Sequence, residues 1–400
     1  MAKSCILSEE MVTTQIVSRL PPKSLMRFKC VCKLWYKVIG SPSFLTMHLS
    51  NSMHNKFYSF ISIVFKLTIL KDKKLTEEEI YHVLRDSSDR KQVLLSLLNL
   101  CNNTVGDGPH LQSVVEDFTV PPPMGLAFTL QIVGHCDGII CLSTHAGSDR
   151  AALCNPSIKE FKFLPKSCLI HPPNVAYVYH VGFGYDSKAK DYKLVRIALS
   201  ISYGEHPTRG EIYSLGSNSW REIKTDFRTR VYSTPGSGLY FKGNYYWYAF
   251  KQEEPEYHKE FILSFDMSDE LFHHTSVPDS FHVTDGCYRS LVVLRESIAL
   301  LSYEAGYGVP KTFEVWGTEG FGAGKDFWTK YVTIGPLEGI EIPLVFWKTD
   351  ELLVVTNNAS AVSYNLCTQT SKYLPINGAE ASDIKAVVYV NSIVSVNRRQ

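Results

Sequence analysis

Three groups of residues have types and spacing that invite a chemical reading. The run Glu319-Gly-Phe-Gly-Ala-Gly-Lys325-Asp326 has the glycines and lysine of a phosphate-cradling loop. Such a loop needs a glycine five positions before the Gly of Gly-Lys and a hydroxyl after the lysine to hold magnesium. Glu319 and Asp326 stand at those two places, so negative charge sits where phosphate would lie, and the run reads as an inter-strand loop. His273-His274 offers two imidazoles, but neighbours on a strand point to opposite faces and do not converge on one ion. Cys136 and Cys141, an odd separation apart on a strand pattern, alternate faces in the same way.

The remaining chemistry is equally sparse. The 10 cysteines are scattered, with no Cys-x-x-Cys pair and no Cys/His cluster at zinc spacing. No Gly-x-Ser-x-Gly elbow occurs. No catalytic residue, metal ligand or cofactor is assigned, and the chain is expected to act by binding and not as an enzyme. The first twenty residues lack a basic segment followed by an apolar one, and no apolar run reaches membrane-span length. A cytoplasmic, non-secreted chain with reduced thiols is expected. With 41 basic and 40 acidic residues, no global field favours nucleic acid or anionic membrane.

The elements that carry binding fall into two kinds. Residues 6–49 read as short helices. Ser8 is a candidate cap, Glu9 and Glu10 follow it, and Val12, Ile16 and Leu20 form one stripe. Pro21-Pro22 separates this helix from the next. Leu25, Phe28, Cys32, Trp35 and Ile39 then mark one helical face across a bend near Cys30 to Lys33, and Ser41-Pro42 punctuates the end. No Asp or Glu occurs between Met11 and Ser50, whereas Arg19, Lys23, Arg27, Lys29, Lys33 and Lys37 do. A module this small cannot bury all its apolar groups alone. Its second stripe is expected to lie against an acidic protein partner or against the following domain, and six basic charges without interleaved exposed aromatics make a weak case for nucleic acid.

The rest of the chain is β-rich, as 21 Phe and 22 Tyr suggest. An apolar strand, a polar turn and a second strand opening on an aromatic recur with a period near about fifty residues, marked by Asn155, Leu215, Asp266, Gly317 and Asn365. That period is the footprint of a kelch-like β-propeller blade. Five blades are visible. A sixth is expected from residues 56–120, closed by a C-terminal strand over Ala386 to Val396. A twisted β-sandwich array is the alternative. The fold expected is therefore mainly β with a small N-terminal α-helical module, about six blades following it. The divisions are 1–50 for the module, 51–130 for a junction and first blade, and 131–400 for the remaining β-domain. Residues 77–86 are either a short solvated helix or an inserted loop.

The run Leu20-Pro21-Pro22-Lys23-Ser24-Leu25-Met26-Arg27-Phe28-Lys29-Cys30-Val31-Cys32-Lys33-Leu34-Trp35 resembles the F-box motif. The resemblance implies docking onto a Skp-type adaptor and, through it, onto the cullin and RING subunits of a ubiquitin ligase. It also implies that Leu20, Pro21, Leu25, Phe28, Val31, Cys32 and Trp35 form the adaptor interface. Gly134-His-Cys-Asp-Gly138, Cys154-Asn-Pro156, Gly182-Phe-Gly-Tyr-Asp186 and Asn218-Ser-Trp220 resemble the plant F-box-associated domain. With Ile262-Leu-Ser-Phe-Asp266, Trp328-Thr-Lys330 and the run from Gly335 to Leu353, the chain is similar to the S-locus F-box proteins of flowering plants. That likeness implies a protein substrate, the S-RNases of pollen self-incompatibility, met in the pollen-tube cytosol. Loops on one rim are expected to bind the substrate, with Tyr203, Glu205, Glu253, Glu254, Glu256, Tyr307 and Phe321 as candidates. The alternatives are a free-standing recognition propeller, whose helices merely pack on the β-domain, and a propeller glycan hydrolase.

Overall fold

The computed structural model describes residues 16–54, 60–70, 91–103, 110–121, 124, 130–144, 150–170, 175, 177–200, 208–225, 231–233, 238–254, 257–277, 286–304, 306, 308–319 and 327–397. The expected Ser8 cap, residues 77–86 and the glycine run 320–326 lie outside them. Helices come first: a 3-10 turn at Val17–Arg19, then α1 (Pro22–Lys29), α2 (Lys33–Gly40) and α3 (Pro42–His54). The expected bend falls at Cys30 to Cys32. Pro42, expected to end the helical module, instead occupies the first turn of α3, where its missing N–H costs nothing.

Strands follow the apolar and aromatic runs and form six sheets among the described residues. Blade I holds β1 (Phe60–Leu70), β2 (Lys91–Asn103) and β3 (His110–Thr119). Blade II holds β4 (Leu130–Cys136), β5 (Ile139–Thr144), β6 (Ala151–Asn155) and β7 (Glu160–Phe163). Blade III holds β8 (Tyr177–Asp186), β9 (Asp191–Ser200), β10 (Arg209–Ser214) and β11 (Ser219–Ile223). In blade IV the inner strand is split into β12 (Val231–Ser233) and β13 (Leu239–Phe241), both paired with β14 (Asn244–Glu254), before β15 (Tyr257–Asp266) and β16 (Phe272–Ser276). Blade V holds β17 (Cys287–Leu294), β18 (Ser297–Glu304), β19 (Lys311–Glu319) and β20 (Phe327–Leu337). Blade VI holds β21 (Ile340–Lys348), β22 (Glu351–Thr356), β23 (Ser360–Asn365) and β24 (Thr370–Asn377). The last strand, β25 (Lys385–Tyr389), returns to blade I and pairs with β1 from Ser62↔Tyr389 to Lys66↔Lys385.

The inner strands β4, β8, β13, β17, β21 and β25 touch in sequence around a closed ring. The fold is thus a six-bladed β-propeller carrying N-terminal helices, with the last strand closing the first blade. Closure leaves no exposed inner edge. The C-terminal strand is shorter than Ala386 to Val396. It stops at Tyr389, and the tail beyond it leaves the ladder to bond blade II.

Each sheet is an antiparallel meander, so its connections alternate between two ends. Turns between first and second strands, and between third and fourth, share what we term the hairpin face. Second-to-third and blade-to-blade connections share the loop face. The sequence period is written on the hairpin face. Asn155, Asp266 and Asn365 each end a third strand, and each side-chain oxygen accepts a backbone N–H two residues on. Lys159, Glu270 and Gln369, each four positions further, adopt the left-handed conformation that closes the turn.

Gly138 stands where the C-terminal tail crosses the first turn of blade II. Its φ is +81°, and a Cβ there would lie 2.6 Å from both the Val390 carbonyl oxygen and Ser392 Cβ. Gly138→Ala is expected to destabilise by about 2 kcal/mol, since overpacking adds to backbone strain. Gly243→Ala, at φ +89° with open space around it, carries the strain alone and is expected to cost about 1 kcal/mol. Urea unfolding of the two variants measures the difference.

Blades III and IV are clamped by charge. Lys193 Nζ lies 2.5 Å from Asp186 and 2.7 Å from Glu270, which also meets Arg221. Burial pushes the Asp186 carboxyl up, but the Lys193 ammonium and the Ala189 N–H overcome it and lower its pKa to about 2. Lys193 is raised despite its burial, because Asp186 and Glu270 favour its charged form. A depressed carboxyl stabilises the fold above its unfolded value near about 3.9, and that stabilisation fades as pH falls toward the folded value. Lys193, raised, contributes until pH climbs through its folded value. The melting temperature is therefore expected to hold from pH 5 to 8 and to drop on acidification from about pH 4 to pH 2.5. Lys193→Met should flatten that drop, and an unchanged acid profile in the variant would count against the clamp.

Candidate functional site

The helical module sits on the hairpin face, where blade I meets blade II. Its own core is Val17, Leu25, Ile39 and Phe44, and it takes in Ile393 from the C-terminal tail. Ile158, in the third turn of blade II, packs against the same cluster. Buried His48 fixes the entry of the chain: its Nε2–H donates to the Leu20 carbonyl at 3.2 Å. Burial lowers the His48 pKa, only partly countered by that bond. Lys23 Nζ donates to both oxygens of Glu116 on β3, at 2.5 and 2.6 Å.

This packing divides the residues that the motif resemblance singles out. Leu25 is 0% exposed and belongs to the module's core, so it does not offer itself to a partner in this conformation. Leu20 and Pro21 line a cleft of about 620 Å³ against Ile61, Leu97 and Val114 of blade I. Phe28, Val31 and Cys32 are exposed, and Trp35 is half-buried with its ring 6.0 Å from that of Phe28. Leu34 and Tyr36 join this ridge, although the periodicity did not select them. The reason is the break at Cys30 to Cys32. It resets the helical phase, turning Ile39 inward and Leu34 and Tyr36 outward. Cys32 caps α2, its sulfur accepting the Trp35 N–H at 3.5 Å.

The ridge exposes Phe28 at 38%, Val31 at 67%, Leu34 at 55% and Tyr36 at 64%. Arg27, Lys33 and Lys37 are exposed beside it, and Lys29 stands over the Tyr36 ring at 5.9 Å. Four large apolar side chains within nine residues make a patch, unlike single exposed residues scattered over a surface. Its chemistry suits burial against an apolar groove with an acidic rim.

The seam beneath the module is polar and fully engaged. Asn155 Nδ2 donates to the Val394 carbonyl at 2.8 Å and to the Ser392 carbonyl at 3.1 Å. Asn391 donates to Ser62 at 2.6 Å, and the Tyr389 hydroxyl lies 3.0 Å from the Gly138 carbonyl. The tail that closes the ring is therefore also the tail that holds the module.

The strands that bracket the expected substrate loops do not all end on one face. The connections Ser200 to Arg209, Glu254 to Tyr257 and Glu304 to Lys311 join second to third strands and lie on the loop face. Glu319 ends a third strand and Phe327 begins a fourth, so that pair of strand ends lies on the opposite face. Glu253 and Glu254 lie on β14, not in a loop: β14 and β15 pair out to Glu254↔Tyr257. Strand pairing there continues through polar residues that carry no strand signal. Tyr203, Glu205, Glu256, Tyr307 and Phe321 lie outside the described residues.

Comparison with known proteins gives two matches along the chain. Residues 100–396 match the model of the F-box associated beta propeller domain, and residues 9–47 match that of the F-box domain. An F-box/kelch-repeat protein of Arabidopsis thaliana is 28% identical over 96% of this chain and 94% of its own length. A putative F-box only protein 15 of the same plant is 27% identical over 80% of this chain and 72% of its own.

Proposed function

We propose, from the premise that this chain belongs to the F-box-associated β-propeller family and carries an F-box ahead of that domain, that it is the substrate-recognition subunit of an SCF-type ubiquitin ligase. The observation that carries this reading is the exposed ridge of Phe28, Val31, Leu34 and Tyr36 with its basic border. The ridge receives a Skp-type adaptor, which links the chain to cullin and RING subunits. The propeller holds a protein substrate. No catalytic side chain is required of it, because tethering raises the local concentration of a substrate lysine near the ubiquitin carrier.

The finer reading makes this an S-locus-type F-box protein acting in the pollen-tube cytosol, with S-RNases as substrates. It rests on the sequence resemblance, above all on the run from Gly335 to Leu353. The acidic stretch Glu253-Glu254-Pro-Glu256 adds a complement for a basic target.

A second reading has its own observation. Leu25 is buried, Ile393 enters the module's core, and Lys23 is bonded to Glu116, as expected of a recognition propeller whose helices only pack on it. Binding to a purified plant Skp-type adaptor separates the two. Phe28→Ala/Val31→Ala should weaken binding about 100-fold or more while melting like wild type, because truncating central apolar anchors typically costs about 2 kcal/mol each. Leu25→Ala should lower the melting temperature first. A well-folded wild type that does not bind the adaptor leaves only the free-standing propeller.

A further inference from the structure

Residues directly opposite in an antiparallel ladder project to the same face, with Cβ atoms about 5 Å apart. Lys66 of β1 and Lys385 of β25 are such a pair. Parity identifies the face. Val64 and Val387, the neighbouring pair two residues along, pack with Leu95, Leu130 and Leu142 into the core between blades I and II. The lysines face the same seam, one step nearer the loop face. Lys66 is only 5% exposed, and Lys385, on the innermost strand, is partly exposed. Thr68 follows on that face, fully buried, and its hydroxyl oxygen has no hydrogen-bond partner among the described residues.

Two like charges opposite each other on a sheet are destabilising, and a buried cation without a counter-ion more so. Burial holds both ammoniums below the ordinary lysine range, and Asp383, in the turn before β25, draws each partly back. Asp383 is the one acidic group among the described residues that acts on both. Among the described residues, two positive charges and one negative charge leave one positive charge to be balanced. A carboxylate supplies one negative charge, and its two oxygens can accept from both ammoniums and from the Thr68 hydroxyl. A phosphate monoester, at about −2, would overshoot.

We propose that Lys66, Lys385 and Thr68 form a carboxylate-binding site in the seam between blades I and II. The carboxylate is either a free small acid or an Asp or Glu side chain of a bound protein. The site stands whether or not the chain serves a ligase. Thermal melts of the full chain in sodium acetate, against sodium chloride at equal ionic strength and pH 7, test it. Acetate should raise the wild-type melting temperature by about 3 °C, and Lys66→Met or Lys385→Met should abolish that increment. Should the variants not fold, amine acylation of wild type read by mass spectrometry decides: acetate should slow labelling of Lys385 several-fold relative to exposed Lys190. Protection by acetate assigns a site open to free acids. Protection only by the peptide acetyl-Gly-Glu-Gly-amide assigns one that reads a carboxylate carried on a polypeptide. A non-zero acetate increment equal in wild type and both variants, or Lys385 labelling unchanged by both probes, would overturn the proposal.

Discussion

A chain ending at Ile384 is expected to lose cooperative folding altogether, and one ending at Tyr389 to lose most of its stability. The first cut removes β25, the inner strand of blade I, and exposes the edge of β1 along the register from Ser62 to Lys66. Blades VI and II then lose the strand that lies between them in the ring. The second cut keeps the closing strand but removes the tail. Ile393, Val394 and Val396 are each at most 2% exposed, and burying such a side chain contributes about 1.5–3 kcal/mol. Asn155 would also lose its Val394 and Ser392 partners while remaining buried, at about 1–3 kcal/mol. The total rivals the net stability of an ordinary domain, about 5–15 kcal/mol. Ile393 lies in the core of the helical module, so the shorter cut should also loosen the helices. Circular dichroism melts with limited proteolysis between α3 and β1 measure both effects. A chain ending at Tyr389 that melted like the full one would show the tail to be dispensable.

The propeller was legible because its repeating unit is enforced locally. A third strand ending in Asn155, Asp266 or Asn365 needs that side chain to hold the following turn, and such residues recur in the sequence in blades II, IV and VI. Blade I was harder. Its inner strand comes from the far end of the chain, where the apolar run from Ala386 announced a closing strand but not its end at Tyr389. The helical motif was legible as a pattern of types, but not the side to which each type turns. Leu25 and Phe28 are three residues apart on α1, yet one is sealed by Ile39, Phe44 and Ile393 while the other is exposed. That difference is made by what packs on each side of α1, including Ile393 from the far end of the chain, and α1 itself does not announce it. The face on which a loop emerges was likewise hidden, since it follows from counting strands within a blade and not from the composition of the loop.

Glu211→Ala is expected to cost about 3–5 kcal/mol, the largest effect of any single substitution considered. Arg196 and Glu211 are 1% and 0% exposed and meet at 2.7 Å inside blade III. Arg196 is held between the rings of Trp220, at 4.2 Å, and Tyr179, at 5.6 Å. Glu211 accepts further bonds from the Ser167 hydroxyl at 2.9 Å and the Cys168 N–H at 3.0 Å. Removing the carboxylate leaves the buried guanidinium without Glu211 and takes away the Ser167 and Cys168 anchor on the loop face, while Pro165 and Ile170 stay bonded to Trp220 and Arg209. Replacing both partners should cost far less than replacing one, because the desolvation of two ions is then avoided. Arg196→Met/Glu211→Leu should accordingly recover most of the stability in urea unfolding, though not the anchoring of Ser167 and Cys168. A Glu211→Ala chain as stable as wild type would mean that water reaches the arginine. A double variant no better than the single one would place the cost in the lost anchor, not in the lone charge. Adaptor binding reports on the opposite face of the ring, so it should survive in the double variant.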